Sequence, residues 1–326
     1  MMKSIVIWLL ATAIVIFCPI ANAQQPAKLP RIGFLDTGTA SGSASFLEVF
    51  RQELRKLEWI EGKNIVFEYR FADQKNERLS ELAADLAGLN VDLIVTSGGT
   101  PPFAAKKATS TIPIVMAAAT DPVGDGLVAS LARPGGNVTG LSSLAIELNT
   151  KRLEILTDAV PNLKRIGLLR PPGGLNRQVK DLMAAALALK VKLEEIETQL
   201  DVKGFESAFQ TAKQKQVGAI MTITSRRFSN ERKRIVELAS KNRLPAIYWQ
   251  KDFIDEGGLM SYGADYDDLF RKAAHYVDKI LKGAKPADLP VQQATKFEFV
   301  INLKAAKQIG LTLSPEFLSR ANKVIQ

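Results

Sequence analysis

Histidine and cysteine are nearly missing from this chain, whose 326 residues hold one of each, His275 and Cys18. Tetrahedral zinc sites, Cys/His nucleophile pairs and Ser-His-Asp triads draw on these two residue types, so most of that chemistry is excluded. Long apolar runs are equally scarce. The one at residues 5–20 follows Lys3 and leads into Ala21-Asn22-Ala23. A lysine, an apolar stretch under twenty residues and a small-residue site make up a secretory signal peptide, residues 1–23, with cleavage expected after Ala23. The competing reading is a membrane anchor, for which the run is short. Cys18 lies inside the run behind the bulky Phe17, which argues against lipid attachment there. The expected product from Gln24 onward would have no cysteine and hence no disulfide. With 46% apolar residues in the chain, packed cores are expected to hold together two domains of ordinary size.

Nucleotide and nucleic-acid signatures are missing too. In "DLIVTSGGTPPFAAKKA", residues 92–108, an apolar strand meets a Ser-Gly-Gly-Thr turn as in a phosphate loop, yet neither G-x-x-x-x-G-K-[ST] nor G-x-G-x-x-G is present. Thr100 followed by Pro101 reads as an N-cap and first helical turn. Such a helix start is expected to aim free amides outward, able to hold a carboxylate as well as a phosphate, with Lys106 and Lys107 two turns away. The net charge of +9 has its densest source in Arg226-Arg227 and Arg232-Lys233-Arg234. With no interleaved aromatics, this cluster is expected to be a solvated helix face, and no nucleic-acid partner is expected.

What is there is a pattern written twice. The compact strand 31–35 leads to a helix with Phe46, Leu47, Phe50, Leu54 and Leu57 at helical spacing. An alternating strand over 64–71 suits a sheet edge, and further strands at 92–96 and 113–118 are separated by helices. The second half repeats this order with strands at 165–169, 191–196, 217–223 and 245–249. Arg31 matches Arg165, Ile94 matches Ile220 and Pro113 matches Pro245, at offsets of 134, 126 and 132. The expected fold is α/β, two doubly wound parallel-sheet lobes. Residues 30–140 with about 259–285 are assigned to the first lobe and 141–258 to the second, with 286–326 crossing back. The crossings are expected near the glycine-rich stretches 134–137 and 257–258, the helix from Tyr266 packing back on the first lobe. His275 falls off that helix's apolar face and reads as a surface residue.

Ligands of open parallel sheets bind beyond the carboxyl ends of the strands, which selects the loops 36–43, 97–100, 119–122, 170–176, 224–227 and 249–253. Asp121 could receive a ligand ammonium or only cap the helix that follows. Arg170 and Arg227 could clamp a carboxylate or remain solvated. Alternation sends Tyr248 and Trp249 to opposite sides, so at most one of them faces a cleft, and core packing is the competing role for each aromatic.

The stretches "RIGFLDTG", "EGKNIVFEYRFA", "STIPIV", "DPVGDGLVASLARPGGNVTGLS", "LPAIYWQKDFIDEGGLMSYGADYDDLFRKAA" and "YVDKILKGAKPADLPVQQATKFEFVINLKAAKQIGLTL" span nearly the whole chain after residue 30. As a set they resemble the exported substrate-binding proteins of ABC transporters, relatives of the tryptophan- and phenylalanine-binding receptors. The resemblance implies a type I periplasmic-binding-protein fold, with two lobes on a multi-strand hinge. Such a protein closes on a small ligand in the periplasm and passes it to permease membrane subunits, with no enzymatic step and no cofactor or metal. The resemblance places ligand contacts at Thr37, Gly38, Ser97, Gly98, Thr100, Thr120 and Asp121 of the first lobe. In the second it places them at Asn176, Ser225, Trp249 and Phe253, with Tyr262 and Asp265 by the crossing. The chain departs from the family where it has Arg170-Pro171-Pro172-Gly173-Gly174-Leu175-Asn176 in place of Asn-Pro repeats. It departs again where it has Thr224-Ser225-Arg226-Arg227-Phe228 in place of an apolar or aromatic stretch. A monomeric receptor for an amino acid or related carboxylate is expected. A two-lobed exported transferase and a same-fold ligand sensor are the alternatives.

Overall fold

Short apolar runs that alternate with amphipathic segments give strands covered by helices. The computed structural model describes residues 29–173 and 176–326, so the expected signal peptide lies outside the described residues. The first sheet has the order β11-β5-β4-β3-β1-β2, all parallel: β1 (Arg31–Asp36), β2 (Val66–Phe71), β3 (Leu93–Ser97), β4 (Ile114–Ala119), β5 (Val138–Ser142) and β11 (Gln292–Gln293). As the alternation predicts, β2 is an edge strand, its Phe67, Tyr69 and Phe71 rings stacked in a row. Covering helices are α1 (Ala40–Lys56), α2 (Leu79–Gly88) and α3 (Pro101–Ala108).

The second sheet has the order β13-β12-β10-β9-β8-β6-β7. Its strands are β6 (Arg165–Arg170), β7 (Lys192–Glu197), β8 (Ala219–Thr222), β9 (Ala246–Tyr248), β10 (Met260–Ala264), β12 (Phe297–Asn302) and β13 (Lys323–Ile325). All pairings are parallel except β10 with β12. The helices are α4 (Ala145–Ala159), α5 (Asn176–Ala188), α6 (Val202–Gln214), α7 (Arg232–Lys241), α8 (Asp252–Asp255), α9 (Tyr266–Leu281), α10 (Leu303–Ile309) and α11 (Pro315–Ser319).

Residues 259–264, expected with the first lobe, belong instead to the second sheet, where Met260 and Ser261 pair with Ile247 and Tyr248. Gly257 turns the chain from α8 into β10 and makes no crossing. The chain crosses between sheets three times: from β5 into α4, from β10 into α9, and from β11 into β12. The segment after residue 285 is therefore divided, β11 completing the first sheet and the remainder the second. Helix α9 returns to the first lobe and lies on α1, with Phe270 stacked on Phe46 at 5.2 Å between ring centres. His275 is exposed on α9, beside Glu53. Among the described residues no helix is long and apolar enough to cross a membrane, and no cluster of three metal-ligating side chains occurs.

Candidate functional site

Parallel strands direct their carboxyl ends to one edge of each sheet, and the three crossings hold the two edges face to face. Between them lies a cavity of about 410 Å³. Its first-lobe wall is Thr37 after β1, Asn76 and Glu77 after β2, Gly98 to Thr100 after β3, Ala118 and Thr120 at the end of β4, Ser143 after β5, and Tyr266 at the start of α9. The second-lobe wall is residues 171–173 after β6, Thr224 to Arg227 after β8, and Trp249 after β9.

Backbone shape makes the Gly98-Gly99 turn possible. Gly98 has φ +90°, and a side chain there would press on Arg226. A Cβ on Gly99 would stand 2.7 Å from Thr120 Oγ1. Thr100 is on the wall but is not the expected cap: its backbone is already helical and its side chain makes no capping bond. Nor is the start of α3 rich in free amides. Pro101 and Pro102 carry no N–H, and Phe103 N donates to the Thr100 carbonyl at 3.2 Å.

The dominant polar feature is Arg226, in a 3-10 turn that follows β8. It is 7% exposed, and its Nη2 donates across the cleft to Asp36 Oδ2 at 3.1 Å, to Ser43 Oγ at 3.0 Å and to the Gly42 carbonyl at 3.4 Å. Asp36, fully buried at the end of β1, also accepts from Gly38 N and Ser43 Oγ. The guanidinium lies over the Phe46 ring at 4.9 Å. Its Nε and Nη1 are buried with no hydrogen-bond partner. Arg227 donates to the carbonyls of Gln74 in the first lobe, at 3.1 Å, and Pro172 in the second, at 2.8 Å. Burial lowers Arg227 from the ordinary arginine value, and Glu77 opposes that shift. Asn230 adds a third bridge to the first lobe through Thr39 Oγ1, at 3.1 Å. The lobes are thus closed on each other. The expectation of a solvated helix face fails for Arg226 and in part for Arg227: both precede α7, and the opposing lobe buries the first and half-buries the second, while Arg232 to Arg234 on α7 keep contact with solvent.

Behind the second-lobe wall lies Arg152 of α4. It donates to the Tyr262 carbonyl at 2.8 Å, to Thr224 Oγ1 at 2.7 Å and to Asn149 Oδ1. Complete burial pushes its guanidinium down to about 9, Tyr266 and Tyr262 acting the other way, so it stays cationic at neutral pH. Burial likewise raises the Tyr266 phenol, and Arg226 and a hydrogen bond with Ser143 oppose the rise. Trp249 meets Tyr266 edge to face at 5.2 Å, and its Nε1 is buried without a partner.

Of the residues selected from sequence, Thr37, Gly98, Thr100, Thr120, Ser225 and Trp249 line the cavity. Gly38 lies behind the wall, its N–H bound to Asp36, and Ser97 is buried at the end of β3 with an unpartnered hydroxyl. Asp121 and Asp265 are off the wall. Each carboxylate is used by its own chain, Asp121 accepting from Gly124 N at 2.9 Å and Asp265 capping α9 through Asp268 N at 2.9 Å. Phe253 is core, stacked on Tyr248 at 4.6 Å, and Tyr262 packs on Phe297 and Phe299. Arg170 turns to Glu195 and Glu197 of β7, away from the cavity. The Asn176 side chain lies outside what is described. Asn76, Ser143, Tyr266 and Arg152 escaped sequence reasoning. Of these, Ser143 and Tyr266 follow strand ends β5 and β10 and the same strand-end rule would reach them.

Comparison with known proteins gives a consistent picture. A family profile described as "ABC transporter substrate binding protein" matches residues 44–325. The tyrosine-binding protein of Clostridioides difficile (strain R20291) is 27% identical over 252 residues, 77% of this chain and 72% of that one. The crystal structure of a conserved domain protein from Vibrio cholerae O1 biovar El Tor superposes with a TM-score of 0.83 at 30% identity, covering 91% of this chain and all of that chain. A structure from Streptococcus pneumonia, described as an ABC domain in complex with L-Trp, superposes at 0.81 with 26% identity, over 91% of this chain and all of that one.

Proposed function

Since the chain belongs to the family of ABC transporter substrate-binding proteins, we propose that it is an exported receptor. It closes on one small polar molecule, an amino acid or a related carboxylate, and passes it to the membrane subunits of a permease without changing it chemically. The observation that carries this reading is the cavity itself. It is walled by strand-end loops from both lobes and, at about 410 Å³, is of the size that encloses a small molecule. A ligand held there touches both lobes at once, so it stabilises the closed arrangement over an open one, the differential contact that any closure requires. The relatives named for tyrosine binding and solved with L-Trp support the ligand class. The described wall residues present hydroxyls, guanidinium groups and an indole, with no pair of carboxylates and no histidine among them, a composition suited to binding more than to acid-base chemistry.

Delivery to a permease requires export, for which residues 1–23 are the expected signal. The intact mass of protein recovered from the periplasm is expected to begin at Gln24; an uncleaved chain would refute that. A thermal-shift screen of amino acids, purines and short carboxylates tests the receptor reading, since a bound ligand raises the melting temperature. Stabilisation by one compound, recovered unchanged, is the expected result. Consumption of that compound by the protein would favour the transferase reading.

A further inference from the structure

Four unpaired buried nitrogens at the closed cleft outnumber the one unpaired acceptor-only atom on its wall, the uncharged Asn76 Oδ1. Arg226 Nε and Nη1, Arg152 Nε and Trp249 Nε1 are all buried and all without a partner. Each is a donor only, because neither guanidinium nor indole nitrogen accepts a hydrogen bond. Arg226 and Trp249 stand on the wall, and Arg152 stands directly behind Thr224. Acceptors of matching charge are few. Asp36 is enclosed by Gly38 N, Ser43 Oγ and Arg226, and Asp121 and Asp265 are committed to their own turns. The one carboxylate among the described wall residues is Glu77, which is exposed.

An α-amino acid brings two charged ends. Its carboxylate suits the unpaired donors, since a charged acceptor restores the hydrogen bonds that burial has left unmade. Its ammonium would enter a wall that already holds Arg226 and Arg227, with no enclosed carboxylate free to receive it. The unpartnered Asn76 Oδ1 and the hydroxyls of Thr37, Thr120, Thr224 and Tyr266 can accept from it, but they supply no opposing charge.

We infer that this receptor selects an organic carboxylate lacking an ammonium group, its anionic end held by Arg226 and Trp249 Nε1 and its body by the small hydroxyl residues of the first lobe. This inference rests on the receptor reading and narrows its ligand class. The selecting element is the pair Arg226-Arg227 in the turn after β8.

Isothermal titration of the full mature chain with matched compounds tests it: tryptophan against indole-3-propionate, phenylalanine against 3-phenylpropionate, and glutamate against glutarate, with tryptamine as the cation alone. The expected result is that the des-amino member of a binding pair holds at least as tightly as its amino acid, and that tryptamine gives no heat. Tighter binding of the amino acid by about tenfold or more, the worth of one contact to a charged group, in every pair that binds would overturn the inference and leave the receptor reading intact. No binding by any member of any pair would count against the receptor reading and remove this inference with it. For the carboxylate that binds, Arg226→Gln is expected to weaken affinity by about 10- to 100-fold, with Arg226→Lys between the two. Equal affinity in a folded Arg226→Gln protein, its melting checked first, would also overturn it.

Discussion

Replacing Arg226 by methionine keeps an unbranched side chain in the cleft and removes the cation that Asp36 faces. The carboxylate is fully buried and the pair is buried on both sides, 6% and 0% exposed, so solvent screening is slight. Stranding one partner of such a pair costs about 3–5 kcal/mol. At about 1.4 kcal/mol per factor of ten, that moves the closed-to-open ratio by roughly 140- to 3,700-fold. The cost has an outlet. Asp36 lies at the cleft end of β1, and opening the lobes returns it to water, so the variant should open before it unfolds. Arg226→Met is therefore expected to raise the radius of gyration in solution scattering of the ligand-free protein while the melting temperature changes little. The double variant Asp36→Asn/Arg226→Met, with no stranded charge, is expected to recover part of the closed population. A single variant as compact as the parent would show that the ion pair does not hold the lobes together.

Three further perturbations follow from particular contacts. Gly99→Val places carbon against Thr120 Oγ1, and overpacking of this kind costs about 1–3 kcal/mol; it should weaken binding of any cleft ligand, and unchanged affinity by calorimetry would refute the close approach. Arg152→Met strands the Tyr262 carbonyl and leaves Asn149 Oδ1 only the Thr224 hydroxyl at 3.4 Å, so a loss of about 1–3 kcal/mol, the cost of one unmade buried bond, is expected, measured by urea unfolding. Acid should destabilise the fold through Glu53, Glu194, Asp268 and Asp278, all held below their ordinary values. Hydrogen bonds from Lys56 and Lys192 lower the two glutamates. For the two aspartates burial acts upward and is outweighed by Lys272 with Lys296, and by Lys282 with Trp59. A depressed carboxylate contributes its full stability above the ordinary values of 3.8 and 4.5 and loses it as pH falls through the lowered folded value, because the unfolded chain takes up protons first. Melting temperature should thus hold from pH 7 to about 5 and fall below about 4, and a flat profile to pH 3 would contradict these assignments.

The lobes and their sheets were legible because alternation and repeat landmarks depend on local sequence. The strand-end rule then reached Thr37, Gly98, Thr100, Thr120, Ser225 and Trp249 with no knowledge of the partner lobe. It failed where a role depends on distant chain. Arg226 reads as a solvated charge until Asp36, 190 positions away, is brought against it. Asp121 and Asp265 each stand three residues before the amide they accept from, a cap spacing visible in the sequence and outweighed there by the family resemblance. The glycines at 257–258 resembled a crossing because turn chemistry is the same whether or not the chain then changes sheets. Phe253 and Tyr262 sit beside the cleft in sequence, and packing claimed them, as it claims most large rings.

The most direct test of the account is native mass spectrometry of the protein purified from its own periplasm without refolding. One equivalent of a small carboxylate is expected, held by the compact, closed form, released unchanged on denaturation, and lost when Arg226 is replaced by glutamine. A cleft that retains no small molecule across the screened compounds, or one that returns a ligand chemically altered, would contradict it.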